Sequence, residues 1–153
     1  MISRDIYRKV VQTVRPDTPV REAVDIMAKH GLNSLIVTND GDTVAGLVTI
    51  VNMATATVPV GLQESAALAE AMTAPGYFES ACQELAGKTV GDYMEAGIRT
   101  LPADADIMEV VAIFLNEQQH TVPIVDDSGV LLGIVTRTEV RRALAETISK
   151  AAK

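Results

Sequence analysis

The sequence predicts an α/β (α+β) fold: two β-α-β-β-α repeats packed sheet to sheet about a pseudo-two-fold axis, with a helical insertion between them. Three observations carry this. Slid by 87 residues, the chain matches itself without a gap, 13–57 on 100–144. Within each copy the apolar period changes in the same order, from strand to helix to strands to helix. Residues 58–89 belong to neither copy. An internal duplication dictates architecture, so it governs every later reading.

Ten aligned positions are identical, among them Asp17/Asp104, Glu22/Glu109, Gly46/Gly133, Val48/Val135 and Thr49/Thr136. Each copy opens with a short entry strand, suggested by Val10, Val11 and Val14 in the first and by Ile98 and Leu101 in the second. Val20, Ala23, Val24 and Met27 then recur at helical spacing, as do Ile107, Val110, Val111 and Phe114. Thr18-Pro19 suits a helix start, because proline in the first turn gives up an amide that has no partner there. Asp106 with Glu109 resembles a capping box.

Two runs rich in β-branched and aliphatic residues follow in each copy. SLIVT and VAGLVT are joined by the turn NDGD, and TVPIV and VLLGIVT by DDSG, which predicts a hairpin in each. A second helix begins near Val51 and near Thr138. One such unit is half the size of a comfortable domain and exposes a sheet face it cannot cover, so the two repeats are expected to form one folding unit. The expected bounds are 1–57 for the first repeat, 58–89 for the insertion and 90–153 for the second repeat. Inside the insertion, Leu62, Ala66, Ala69 and Met72 have helical spacing, Pro75-Gly76 interrupts it, and Phe78, Cys82 and Leu85 resume it, giving two short helices.

Composition narrows the function classes. Of 153 residues, 48% are apolar and 22% charged, which is ordinary globular composition rather than disorder. With aromatics at 3% and no tryptophan, the core must be built from Val, Ile, Leu, Ala and Met. A net charge of −7 argues against nucleic-acid binding, which draws its affinity from basic side chains on phosphates, but leaves room for a small anion held by two or three donors. Cys82 is the single cysteine, so no intramolecular disulfide forms and a reducing compartment is expected. The opening MISRDIYRKV lacks the apolar region of a signal peptide, and no apolar run approaches the roughly 18–20 residues that span a bilayer. The expectation is a cytoplasmic protein with no membrane partner.

Thr49 and Thr136 each stand where a strand hands over to a helix, and two readings fit them. The structural one is an N-cap whose hydroxyl satisfies an amide of the first turn. The functional one uses the same geometry: free amides and a partial positive charge converge there and suit a phosphate. A polar side chain one turn on, Asn52 or Glu139, would reach ribose hydroxyls. In the same functional reading Gly46 and Gly133 open the strand and permit a close backbone approach.

These residues resemble a known family. HTVPIVDDSGVLLGIVTRTEV (120–140), with VGDYM (90–94) and TLPADADIMEVV before it, looks like a cystathionine-β-synthase (CBS) domain. NSLIVTNDGDTVAGLVTIVNM (33–53), preceded by TVRPDTPVREAVDIM, looks like a second. Together they resemble a tandem CBS pair, or Bateman module. The resemblance implies a regulatory, signal-transducing module that binds adenosine-containing ligands (AMP, ADP, ATP or S-adenosylmethionine) in clefts between its repeats, and that pairs into a homodimer. It places base recognition near Gln12, Thr13, Asn33 and Ser34 in one copy and near Arg99, Thr100, His120 and Thr121 in the other. The family's phosphate-side hydroxyl matches Thr49 and Thr136, and its ribose aspartate falls at Asn52 and Glu139. The first departs by losing the charge, the second by a longer stem. Copy two has the better phosphate donors, with Arg137 beside Thr136.

The remaining residues read plainly. His30 and His120 lack partners at metal-ligand spacing, Cys82 reads as a small hydrophobe of the insertion, and Arg141 and Arg142 as solvated charges of the last helix. No G-x-S-x-G, Walker A or H-E-x-x-H pattern occurs, and no activated nucleophile is visible. The expectation is therefore a non-enzymatic sensor with no obligatory cofactor or metal, acting on an unidentified partner protein in trans. The alternative is a ligand-free assembly module working through dimerisation.

Overall fold

A computed structural model describes all residues except Val10, Glu117 and Gln118. Among the described residues six strands and six α-helices follow one another in the expected repeating order. In the first copy these are β1 (Thr13–Val14), α1 (Val20–His30), β2 (Ser34–Thr38), β3 (Val44–Thr49) and α2 (Ile50–Thr55). The insertion carries a 3-10 turn at Val60–Leu62, then α3 (Ala66–Glu70) and α4 (Tyr77–Ala86). The second copy supplies β4 (Leu101–Pro102), α5 (Ile107–Asn116), β5 (Thr121–Val125), β6 (Leu131–Thr136) and α6 (Arg137–Ala151). The strands form two three-stranded sheets, ordered β1-β2-β3 and β4-β5-β6.

The entry strands are shorter than the apolar residues suggested. Each is two residues long and runs parallel to the next strand, Thr13 opposite Ile36 and Leu101 opposite Ile124. Val10, assigned to the first of them from sequence, lies outside the described residues. Pro19 is the N-cap of α1 rather than its first residue, with extended backbone at φ −60° and ψ 141°. The closing helices begin one residue earlier than expected, because Thr49 and Thr136 cap them. Helix α1 ends where Gly31 takes a left-handed φ of 65°, a conformation costly for any residue with a Cβ.

Two compact units emerge, and they cut across the repeats. The first comprises Met1–Val11, Asn39–Val44 and Gly97–Lys153; the second comprises Gln12–Thr38 and Ala45–Ala96. Each has its own core. In the second unit Val14, Val20, Ala23, Met27, Leu35 and Val48 cluster with Leu85 from the far end of the insertion and Val90 from the start of the second repeat. In the first unit Leu101, Val110, Ile113, Val122, Ile124 and Val135 cluster with Ile6 from the start of the chain.

The presence of Ile6 and Val90 in these cores reflects an exchange. The 3-10 turn Ser3–Asp5 packs on the second copy: Ser3 N donates to Ala105 O at 2.8 Å, Arg4 N to Ala103 O at 2.8 Å, and Arg8 pairs with Ile134 through N–O distances of 2.9 and 3.0 Å. The 3-10 turn Val90–Asp92 packs on the first copy in the same manner. There Gly91 N donates to Pro16 O at 2.7 Å, and Glu95 pairs with Leu47 at 2.7 and 3.0 Å. The paired positions are related by the same 87-residue offset: 8 and 95, 47 and 134. The segment preceding each copy thus seats on the other copy's last strand.

This explains the repeated glycines. A Cβ at Gly133 would lie 2.2 Å from Tyr7 Cδ2 and 2.5 Å from Arg8 O, and one at Gly46 would lie 2.5 Å from Glu95 O. The close approach that sequence attached to these glycines is made by the chain itself. Arg142, read from sequence as solvated, instead donates from its guanidinium to Ile6 O at 3.0 Å and so tethers the same segment. Within the insertion, Tyr77 donates its hydroxyl to Thr57 O at 2.6 Å, and Cys82 is half-buried.

Candidate functional site

In the second unit the strand-to-helix junction is built around Thr49. Asn52 N donates to Thr49 Oγ1 at 3.1 Å and Thr49 N donates to Asn52 Oδ1 at 2.8 Å, a reciprocal box that satisfies two amides otherwise orphaned at a helix start. The Thr49 hydroxyl donates to Asn52 Oδ1 at 2.9 Å. Asn33 O accepts from Ile50 N at 2.8 Å, holding the entrance to β2 against the first turn of α2. Asn33, Thr49 and Asn52 are thereby brought together. Ser34 follows at the start of β2, Thr13 lies beside Ile36 two residues further along that strand, and Gln12 is exposed just ahead of β1.

The first unit repeats the junction with other side chains. Thr136 stands opposite Thr121 in the antiparallel β5–β6 ladder. Its amide donates to Glu139 Oε2 at 2.9 Å, its hydroxyl donates to the same oxygen, and it accepts from Thr138 N at 3.2 Å. Arg137, exposed, is the first residue of α6. Arg99 and Thr100 run into β4, and His120 precedes β5 with its ring edge-on to Phe114 at 5.9 Å between centroids. Of the two readings of the twice-written threonine, the capping role is filled at both junctions.

Three residues that matter to these sites had not been singled out from sequence. Gln119, buried, accepts from Arg99 N and donates to Arg99 O and Thr121 O, all at 2.9 Å. It fixes the approach to β4 against the start of β5, where the first copy has Leu32. The other two come from the exchanged segments. Glu95 Oε1 accepts from Asn52 Nδ2 at 3.2 Å, and Arg8 Nε lies 3.7 Å from Glu139 Oε1. Glu139 is only 3% exposed, so its carboxylate is occupied by the cap on one side and by Arg8 on the other. Extending the 87-residue offset to the chain start, where it relates Asp5 to Asp92 and Arg8 to Glu95, is the signal that would have found them.

Among the described residues no group of three or more His, Cys, Asp or Glu side chains is placed to hold a metal ion, and no helix is long and apolar enough to cross a membrane. What the junctions offer is hydrogen bonding and charge: strand-end carbonyls, a hydroxyl, an amide or carboxylate in the first helical turn, and cationic side chains in the first unit.

Two β-α-β-β-α repeats, each closed by a threonine-capped helix, define the class of paired α+β repeats. The family model for the CBS domain matches residues 2–58 and 90–146, and the chain belongs to that family. Its fold is that of solved CBS pairs. CBSX2 from Arabidopsis thaliana superposes with a TM-score of 0.76 at 21% identity, over 97% of this chain and 96% of that one. The CBS domain pair of protein MJ0100, solved with 5′-methylthioadenosine and S-adenosyl-L-methionine, gives 0.70 at 20% identity, over 96% and 98%. A further structure of CBSX2, in complex with AMP, gives 0.72 at 22% identity, over 95% and 97%. Among curated proteins, an uncharacterised protein of Methanopyrus kandleri is 24% identical over 136 residues, and the inosine-5′-monophosphate dehydrogenase of Thermoplasma acidophilum is 26% identical over 140. This chain spans 59% of the length of the first and 22% of the second.

Proposed function

We propose that this protein is a regulatory module that binds an adenosine-containing ligand at the strand-to-helix junctions of its repeats and acts on a partner protein in trans. The observation that carries the reading is the repeated junction itself, with Asn33, Thr49 and Asn52 gathered in one unit and Thr121, Thr136 and Glu139 in the other. Proteins of the same fold solved with AMP, or with 5′-methylthioadenosine and S-adenosyl-L-methionine, supply the ligand class. In this reading Gln12, Thr13, Asn33 and Ser34 face the base in one repeat, and Arg99, Thr100, His120 and Thr121 in the other. Asn52 and Glu139 serve the ribose, and Thr49, Thr136 and Arg137 the phosphate side. Signalling requires that the ligand bind one arrangement of the protein more tightly than another.

The test is thermal denaturation with AMP, ADP, ATP, 5′-methylthioadenosine and S-adenosylmethionine. A ligand bound only by the native state stabilises it by about 2.7 kcal/mol at a hundredfold excess over Kd. A shift that saturates with one of these compounds supports the proposal, and no shift with any of them ends it.

A specific observation favours the second reading, an assembly module without ligand. The Glu139 carboxylate is buried and already engaged by Thr136 and Arg8. On that reading self-association uses the exposed apolar residues of the second copy's helices, Met108 and Leu115 on α5 and Leu144 and Ile148 on α6. Light scattering distinguishes the two: a dimer that persists unchanged with every adenosine compound, each giving no thermal shift, supports assembly alone.

A further inference from the structure

The two junctions are alike in backbone and opposite in charge. The exchanged segments bring Glu95 to Asn52 at 3.2 Å and Arg8 to Glu139 at 3.7 Å, at positions related by one 87-residue offset. In the second unit the junction residues 49 and 52 are uncharged, so the carboxylate of Glu95 sets the sign. In the first unit Arg8 offsets Glu139, and Arg137 adds a further cation at the start of α6. Among the described residues Arg8 Nε makes no hydrogen bond although that atom is buried; the side chain as a whole is 41% exposed, and its contact with Glu139 is longer than a hydrogen bond. A strong donor is thus held beside the junction without its hydrogen bond made.

We propose that residues 8 and 95 are specificity determinants that make the two repeats inequivalent: Arg8 directs a phosphorylated adenosine ligand to the second repeat, and Glu95 excludes phosphate from the first, leaving it to adenosine derivatives without phosphate. This rests on the adenosine-binding reading above. The physical basis is the sign of the charge that the exchanged segment brings beside the first helical turn of each junction. A guanidinium recognises phosphate by charge-assisted hydrogen bonds, which exceed neutral ones in strength. A carboxylate at the same place repels a phosphate and tolerates a neutral or cationic group. No phosphate contact is implied for residues 8 and 95 by the glycine and threonine pattern of the repeats, because both residues lie outside it.

The experiment is titration calorimetry of the full chain with AMP, with adenosine and with 5′-methylthioadenosine, comparing the wild type with Arg8→Gln, Arg8→Lys and Glu95→Gln. The wild type is expected to take one AMP per chain. Arg8→Gln weakens AMP about tenfold or more, the span of a lost charge-assisted hydrogen bond, while adenosine changes less than twofold, and Arg8→Lys recovers part of the AMP affinity. Glu95→Gln, on an exposed side chain, adds a second AMP per chain or raises AMP affinity about fivefold or more, again without strengthening adenosine. Two AMP molecules bound per wild-type chain, equal losses of AMP and adenosine in Arg8→Gln, or AMP binding unchanged in Glu95→Gln would each overturn the assignment while leaving adenosine binding intact. Binding of none of the three compounds to any form would overturn the adenosine reading and this inference with it. If Arg8→Gln fails to fold, the Glu95→Gln arm decides.

Discussion

Replacing Gly133 by alanine tests the exchange directly. The new Cβ would sit 2.2 Å from Tyr7 Cδ2, 2.8 Å from Tyr7 Cε2 and 2.5 Å from Arg8 O, well inside the ~3.5 Å at which carbon atoms come into contact. The Tyr7 ring is half-buried and can swing, but Arg8 O is backbone. It is held by Ile134 N at 3.0 Å, with Arg8 N returning a bond to Ile134 O at 2.9 Å. Relieving the clash therefore means lifting Arg8 off the strand. Overpacking of this kind costs about 1–3 kcal/mol, and two weakened backbone bonds add about 0.5–1.5 kcal/mol each. Alanine returns about 0.4–1 kcal/mol by restricting the unfolded chain. The expected loss is about 1–5 kcal/mol, read from the urea midpoint at constant slope. Gly46→Ala should behave alike, since its Cβ would meet Glu95 O at 2.5 Å. Gly61→Ala is the control: among the described residues nothing lies within 4 Å of its Cβ, and the expected change is no loss, at most the gain of about 0.4–1 kcal/mol from restricting the unfolded chain. If Gly133→Ala matches that control, the first residues of the chain do not seat on β6 and the exchange is refuted.

Gln119→Ala strips three hydrogen bonds at 2.9 Å from a buried position, two of them made by Arg99 and one by Thr121 backbone groups. A loss of about 2–4 kcal/mol in urea unfolding is expected; a loss under 0.5 kcal/mol would mean water replaces the side chain at no cost. Deleting residues 1–11 removes buried Ser3 and Ile6, together with the Arg8–Ile134 pairing and the Arg142 tether. Amide exchange should then accelerate by about tenfold or more in 131–143, while 34–38 and 20–30, which lie in the other unit, keep their protection. Uniform acceleration, or none, would contradict the division of the chain into these units.

The legible part of this fold was the part written in local periodicity. Val20, Ala23 and Met27 at helical spacing, and SLIVT and TVPIV as apolar β-branched runs, bury as their patterns require. The offset of 87 gave two copies in order, and Thr49 and Thr136 marked the helix starts to within a residue. What sequence did not display was partner choice. SRD and VGD are three-residue turns that share one aspartate, and nothing in a turn that short states which sheet it will cover. Arg8 and Glu95 carry opposite charges at equivalent places, so the similarity that exposes a repeat hides them. Gln119 was missed for a related reason: Leu32 occupies the aligned position, and a polar residue facing a leucine reads as surface until its three bonds are seen.

The same exchange makes the duplication obligatory. Each compact unit is assembled from separated stretches of chain, and the bonds that close each one come from a segment that sequence assigns to the other repeat. A repeat bounded as 90–153 would keep Gly133 with nothing to approach it, and one bounded as 1–57 would leave Gly46 and Leu47 without Glu95. The glycines then cost backbone entropy in a strand and return nothing. Their presence at both 46 and 133 is therefore intelligible only if both segments are seated together. It follows that the charge at each candidate site is set from the other half of the sequence: a substitution at residue 8 acts on the second repeat, and one at residue 95 on the first.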